Sequence, residues 1–527
     1  MLFDSTLDVP PLPSSDVFNY VFHYGRRPYP WSRVVYRVDG TDETLTLAQL
    51  EEKSRRFARA IKKKYGIQYP IAFFGALAAG ATVALIPHQK DLSAEDVAGR
   101  LSQSKSKLLI TDGALLHIAE TASGLVGGVP IITLDNADNE TANLQDLLSQ
   151  ALPSESTFEL KSHKEAEEHD AFINRTSGST GNMKSVLVSH SHYIATLEAT
   201  WRTVPVSTDP ERDVWLTSSS LGFLINAKLF MLLNILLGIP VVIMPEPLDE
   251  ESISVIQRHQ ITFILVFPPL VAKLAKSNLN PKEVESIKWL LSAGATIPEN
   301  LRQALATRFP KVDLTLEWGT SETMLIAIQT SDPVTRKAGS SGILVNENRL
   351  DNDEANREFD QDGFFHTGDY GYIDEERNVY IIDRLKELLR VGDGYGSRIS
   401  ASELENAVFE HPAVSTAVVV GIWDENTATQ HPTAFVVPLK NYQDRVGRAL
   451  AEDIEAFIST KLTGLRRLSG GVYFIDSYPT TGFKINRRAL KALPRDEVSR
   501  VVGQSFHVFQ PALHPQEHAH HGLLTTV

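Results

Sequence analysis

Residues 176–184, Thr176-Ser177-Gly178-Ser179-Thr180-Gly181-Asn182-Met183-Lys184, crowd hydroxyls, glycines and one lysine between a strand-like run, Ala171-Phe172-Ile173-Asn174, and the apolar Val186-Leu187-Val188. Glycines let backbone N–H groups turn toward an anion, hydroxyls donate to phosphoryl oxygens, and the lysine brings a mobile positive charge. The stretch suits a phosphate grip, and taken alone it suits a flexible polar loop equally well. A Walker loop is excluded: Gly178, Lys184 and Ser185 hold its spacing, but Met183 stands at its second glycine.

Other stretches carry side chains suited to a nucleotide. Glu317-Trp318-Gly319-Thr320-Ser321-Glu322 sets an aromatic ring, hydroxyls and a carboxylate side by side, and a hard cation bridging phosphates requires a carboxylate oxygen. Alone, Glu322 reads as an ordinary solvated residue. Ser292-Ala293-Gly294-Ala295 has the form of a tight strand-to-helix turn. Thr367-Gly368-Asp369 ends in a carboxylate able to accept from both hydroxyls of a vicinal diol, although a plain Gly-Asp turn looks the same. Basic groups follow in Asp383-Arg384-Leu385-Lys386-Glu387-Leu388 and in Pro479-Thr480-Thr481-Gly482-Phe483-Lys484-Ile485-Asn486-Arg487-Arg488, where a basic surface loop is the bland alternative.

In this order the motifs resemble those of the adenylate-forming superfamily, which includes acyl-CoA synthetases, 4-coumarate-CoA-type ligases, firefly luciferase and peptide-synthetase adenylation domains. The resemblance runs from about Phe18 to Leu493. It implies an α/β fold, with a large N-terminal domain of parallel-type, helix-covered sheets and a small mobile C-terminal α+β domain. It also implies ATP, Mg2+ and coenzyme A. Thr176, Ser177, Gly178, Ser179, Thr180, Gly181 and Lys184 would grip the β- and γ-phosphates, with Met183 and Ser185 replacing the usual proline and glycine. Gly294 and Ala295 would wall the adenine, Glu317, Trp318 and Gly319 would pack near it, and Ser321 would approach the α-phosphate. Glu322 and Thr180 would hold Mg2+. Asp369 would take the ribose hydroxyls, Arg384 would contact ribose or phosphate, Lys386 would sit at the pivot, and Lys484 would be the catalytic lysine, preceded by Phe483 where the family has glycine. The implied reaction joins a small carboxylic acid to the thiol of coenzyme A through an acyl-adenylate. A stand-alone adenylation enzyme loading a carrier protein is the near alternative, and a non-catalytic nucleotide-binding homologue the distant one.

These groups need a scaffold, and the apolar patterning supplies one. Helical periodicity over 47–64 leads to a small-residue run at 73–81, and apolar strands at 108–111, 131–134, 241–244 and 263–266 alternate with helical segments, the pattern of largely parallel sheets. The apolar stretch 221–244 holds Asn226, Lys228 and Asn234 and is broken by Gly238-Ile239-Pro240, so a buried helix followed by a strand is expected rather than a membrane span. The expected organisation is an N-terminal domain over 1–382, a hinge at 383–387, a lid domain over 388–510 and a flexible, histidine-rich tail over 511–527.

With 527 residues, 42% hydrophobic and 22% charged, the chain is globular and of more than one domain. A formal charge of -14, spread without a basic block, argues against nucleic acid as a partner and for a small molecule. Zero cysteines exclude disulfides and a thiol nucleophile. Met1-Leu2-Phe3-Asp4 offers no secretory leader and Thr525-Thr526-Val527 no peroxisomal signal, so a cytoplasmic location is expected.

The resemblance has three breaks. The family's extra strand is missing around Gly66-Ile67-Gln68-Tyr69-Pro70, a β-rich stretch is lacking between Val345 and Asn352, and Gly392-Asp393-Gly394-Tyr395-Gly396-Ser397 lengthens the hinge hairpin. Losing an interior strand would leave its neighbours with unpaired backbone groups. The segment implied to line the acyl pocket carries Ser218-Ser219-Ser220 where many aryl-acid ligases have histidine and phenylalanine, and the acid itself is not legible.

Overall fold

Among the described residues, strands whose central members are buried and rich in Val, Ile, Leu and Trp assemble into an eleven-stranded sheet that begins, in spatial order, with Thr44–Thr46 and Val34–Val38. Val241–Ile243, Trp215–Thr217, Phe263–Val266, Trp289–Ser292 and Asp313–Thr320 follow, all parallel from Val34–Val38 onward. The direction then reverses, and Met324–Ile328, Gly342–Leu344, Asn378–Arg384 and Asp369–Ile373 extend the sheet in antiparallel pairs. The computed structural model describes residues 12–25, 28–61, 69–87, 92–135, 141–150, 158–176, 184–218, 220–244, 252–277, 279–294, 297, 299–330, 332, 336–345, 365–392, 397–425, 429–481, 484–493 and 524–526.

A six-stranded sheet runs Ile131–Thr133, Leu109–Thr111, Leu524–Thr526, Val83–Ile86, Asp170–Thr176, Lys184–Ser189. The expected strands at 108–111, 131–134, 241–244 and 263–266 are present within a residue of those bounds. The missing-strand expectation falls on 62–68, outside the described residues; the helix Leu47–Ile61 and the helix Tyr69–Ala78 flank that stretch. The tail expected to be flexible contributes a strand, Leu524–Thr526, because two neighbouring strands offer it backbone partners; 511–523 and 527 lie outside the described residues.

The stretch 221–244 is helical over Leu224–Ala227, Lys228–Leu233 and Asn234–Leu237, then a strand, Val241–Ile243. Gly238 ends the helix at φ 74°, and a Cβ there would meet the Tyr29 ring at 2.5 Å, so the turn needs glycine twice over. Among the described residues no helix is long and apolar enough to cross a membrane. From adjacent parallel strands, Trp215, Phe263 and Trp289 pack tilted against one another with ring centroids 4.8 and 4.1 Å apart, nearly all of their surface withdrawn from water. The small C-terminal unit wraps Ala401–Phe409 and Arg448–Lys461 around the sheet Val414–Asp424, Thr429–Pro438, Val472–Phe474.

His190 opens the helix His190–Thr203 and is fully buried; its Nδ1 accepts from the Val17 N–H at 3.0 Å, holding the N-terminal segment down. Burial pulls its pKa down to about 3. Its folded pKa lies below the unfolded 6.5, so its contribution is present above 6.5 and is lost as pH falls toward 3. Urea midpoints measured from pH 7 to 4.5 are expected to fall with acid, and His190→Gln is expected to flatten that slope by up to about one proton; an unchanged slope would show that His190 is not the titrating group.

Candidate active site

The loop at 176–184 leaves and returns at one point. Asp170–Thr176 and Lys184–Ser189 pair antiparallel with Thr176 opposite Lys184. Ser177, Gly178, Ser179, Thr180, Gly181, Asn182 and Met183 lie outside the described residues. From the strand feeding this loop, Asn174 Nδ2 donates to the Ser321 carbonyl at 3.2 Å. That bond joins the six-stranded sheet to the turn carrying Ser321 and Glu322.

The turn follows from local chemistry. Thr320 Oγ1 accepts from the N–H groups of Glu322 and Thr323 at 3.2 and 3.1 Å, so the chain reverses within 321–323 and enters Met324–Ile328. The reversal brings the Met324 carbonyl to 1.7 Å from where a Gly319 Cβ would sit, and the ladder shifts register between Trp318 and Gly319. Only glycine fits there. Ser321 and Glu322 are half-buried, and among the described residues the Glu322 carboxylate meets no hydrogen-bond or ion-pair partner. A half-buried carboxylate of this kind fits a cation.

Consecutive residues of a strand face opposite ways, and Asp313–Thr320 uses both faces. On one, Trp318 Nε1 donates to Asp369 Oδ2 at 3.1 Å. Arg384 Nε lies 2.7 Å from the other oxygen of the same carboxylate, Arg384 also donates to the Thr367 carbonyl at 2.8 Å, and Thr367 Oγ1 accepts from the Asp369 N–H at 3.1 Å. The motifs around 318, 367–369 and 384 therefore meet in one cluster. Burial pushes the Asp369 carboxyl above its usual range, an effect that Arg384, Thr367 and Trp318 oppose. Each oxygen keeps lone pairs beyond its bond to Trp318 or Arg384, as a diol would require.

On the other face Glu317 meets Lys228 at 2.6 Å, with side chains only 10% and 3% exposed. The resemblance implies that Glu317 packs near a nucleotide ring, and in the structure its carboxylate is held in a buried ion pair. Lys228 was missed as a partner. Its signal was a lysine inside the otherwise apolar run 221–244, which a buried helix tolerates only with a counter-charge.

Gly294 is exposed with φ 85° just after the strand Trp289–Ser292, and Ala295 lies outside the described residues. Lys484 begins Lys484–Ile485, opposite Thr481 in a two-residue pairing; 482–483 lie outside the described residues. Arg487 ties this hairpin to its own domain, 2.6 Å from Glu405 and 2.7 Å from the Val419 carbonyl. Asp383 Oδ2 accepts from Ser400 Oγ at 2.7 Å and from the Ser402 N–H at 3.2 Å, joining the end of a strand of the large sheet to the first helix of the small domain. Lys276, on the helix Pro268–Lys276, adds a second tie by donating to the carbonyls of Phe409 and Val414 from 3.7 Å above the Phe409 ring.

With this geometry in place, comparison with known proteins assigns the class. The chain matches the family model for AMP-binding enzymes over residues 25–362 and that for the AMP-binding enzyme C-terminal domain over 403–483. It belongs to the AMP-binding, adenylate-forming enzymes, with acid-CoA ligases among its relatives. It is similar to 4-coumarate-CoA ligase 1 of Glycine max, 30% identical over 291 residues, 48% of this chain and 96% of that one. It is similar also to 4-coumarate-CoA ligase 3 of Oryza sativa subsp. japonica, 25% identical over 525 residues, 86% and 88% of the two chains. Among solved structures, the fold matches an anthranilate-CoA ligase in complex with anthranoyl-AMP at TM-score 0.76 and 20% identity, covering 91% and 98%. A benzoate-CoA ligase from Burkholderia xenovorans matches at TM-score 0.74 and 20% identity, covering 90% and 99%.

A buried pair broken on one side leaves an uncompensated charge, whereas removing both leaves none. Lys228→Met alone is expected to destabilise the large domain by about 3–5 kcal/mol, and Lys228→Met with Glu317→Leu by clearly less. Urea denaturation of both variants measures it; a double variant as damaged as the single one would show that lost packing, not lost pairing, is responsible.

Proposed function

We propose that this enzyme activates a small carboxylic acid with ATP and passes the acyl group to the thiol of coenzyme A. The observation that carries this reading is the Trp318, Asp369 and Arg384 cluster, linked through Ser321 and Asn174 to the strand that opens the hydroxyl- and glycine-rich loop. The motifs around 318, 367–369 and 384 thus share one cluster, and the strand that opens the loop bonds to the turn next to it.

In the first step a carboxylate oxygen of the acid attacks the α-phosphorus, the bond to the bridging oxygen breaks, and pyrophosphate leaves with the electron pair. In the second, the thiol sulfur attacks the acyl carbon, loses its proton, and AMP departs. Asp369 would hold the ribose diol and orient the α-phosphate, with Arg384 fixing the carboxylate from behind. Lys184 and the residues 176–181 would hold the leaving phosphates. Lys484 would meet the charge that grows on the phosphoryl oxygens during attack. Mg2+, if held by Glu322 and Thr180, would neutralise phosphate charge. The hinge, for which 383–387 is the proposed extent, would let the small domain present the Lys484 hairpin in one step and another face in the next.

Pyrophosphate exchange into ATP over a panel of carboxylic acids tests the first step, and thioester formation on adding coenzyme A tests the second. Exchange with no thioester would replace coenzyme A by a carrier protein as acceptor, and no exchange with any acid would overturn the reading. Lys484→Ala is expected to cut exchange about 10²- to 10³-fold with ATP binding retained, the loss typical of one transition-state donor. Lys184→Ala is expected to weaken ATP binding itself, measured by calorimetry. Near-normal exchange in the first variant, or unchanged ATP affinity in the second, would remove that lysine from the mechanism.

A further inference from the structure

We infer that the large domain contains an interior strand-binding slot, and that its occupant is this chain's own segment at 524–526, seated in cis. The slot lies between Val83–Ile86 and Leu109–Thr111. Leu524 faces Ile86 on one side and Thr111 on the other, Thr525 faces Leu85 and Ile110, and Thr526 faces Ala84 and Leu109, antiparallel to both neighbours. Each neighbour is already paired on its far side, Val83–Ile86 with Asp170–Thr176 and Leu109–Thr111 with Ile131–Thr133. Take the segment out and the six-stranded sheet divides in two, exposing facing rows of unpaired N–H and C=O groups. The strands bordering the gap are buried: Ile86, Leu109, Ile110 and Thr111 are all 1% exposed or less. Buried unpaired backbone is strongly disfavoured, so the slot needs an occupant.

The reason for the gap is legible upstream. The helix Tyr69–Ala78 feeds directly into Val83–Ile86. A strand entering that helix would make a right-handed crossover and lie parallel beside Val83–Ile86. One side of Val83–Ile86 belongs to Asp170–Thr176, so its place is the slot. The resemblance implies that the family's strand is missing around Gly66-Ile67-Gln68, and Leu524-Thr525-Thr526, apolar and β-branched after a polar histidine-rich run, suits a buried ladder.

The occupant is tethered and need not impede the lid. Thirty residues, 494–523, separate Leu493 from Leu524, a fully extended reach of about 100 Å. The small domain can rotate through any ordinary hinge angle with the segment in place. A tether of thirty residues also holds the segment at an effective concentration of about the millimolar range, enough to exclude a competing free peptide.

The absence of cysteine makes the test direct. In the full chain, Leu85→Cys with Thr525→Cys is expected to form an intramolecular disulfide on mild oxidation, whereas Leu85→Cys with Thr526→Cys is not, because a one-residue shift puts the side chain on the other face. A chain ended at residue 521 is expected to melt at least about 5 °C lower and to bind a labelled peptide of sequence 522–527 that the full chain ignores. Cross-linking of both cysteine pairs alike, a disulfide only between two chains, or neither pair cross-linking would overturn the proposal. So would a shortened chain with unchanged melting and no peptide binding.

Discussion

The strand Asp313–Thr320 has a parallel neighbour on one side and an antiparallel neighbour on the other, and the arrangement of the site depends on it. Its parallel side belongs to the helix-covered core. Its antiparallel side begins the extension on which Asp369 and Arg384 sit. Alternation along its backbone sends Glu317 to Lys228 and Trp318 to Asp369, so one strand both stabilises the domain and holds a carboxylate in place. The close approach of the Met324 carbonyl to Gly319 sets the turn that follows. A side chain at 319 would push Asp313–Thr320 apart from Met324–Ile328, next to Trp318.

The same economy governs the join between domains. Asp383 ends the large sheet yet accepts from Ser400 and Ser402 at the start of the small domain's first helix. Lys276 reaches the other end of that helix at Phe409. Burial pulls the Lys276 pKa down to about 8, so this contact is held by an ammonium whose proton is looser than usual. Polar contacts at both ends of one helix thus join the small domain to the large one, with Phe409 packed against the large domain's apolar core.

Much of the fold was legible because its signal is local. Strands such as Phe263–Val266 and Leu109–Thr111 are short apolar runs between turn residues, and the helix over 224–237 followed by a strand was marked by Gly238 and Pro240. What the chain order could not show was which runs become neighbours. Leu524–Thr526 reads as a fraying end by position, and becomes an interior strand only because Val83–Ile86 and Leu109–Thr111 present unpaired edges far away in sequence. Lys228 looked like an oddity in an apolar stretch until Glu317, 89 residues on, supplied its counter-charge.

From the sequence alone came the class of chemistry: glycines, hydroxyls, carboxylates and lysines stand in an order that resembles the motifs of adenylate-forming enzymes, a likeness carried by local stretches of chain. The tertiary structure alone decided how those groups are used. It gave Glu317 to an ion pair, placed Asp369 between Trp318 and Arg384, and filled an interior place in the sheet from the far end of the chain. The physical reason is that a buried charge or backbone group must find a partner, and only the folded chain specifies which partner is within reach.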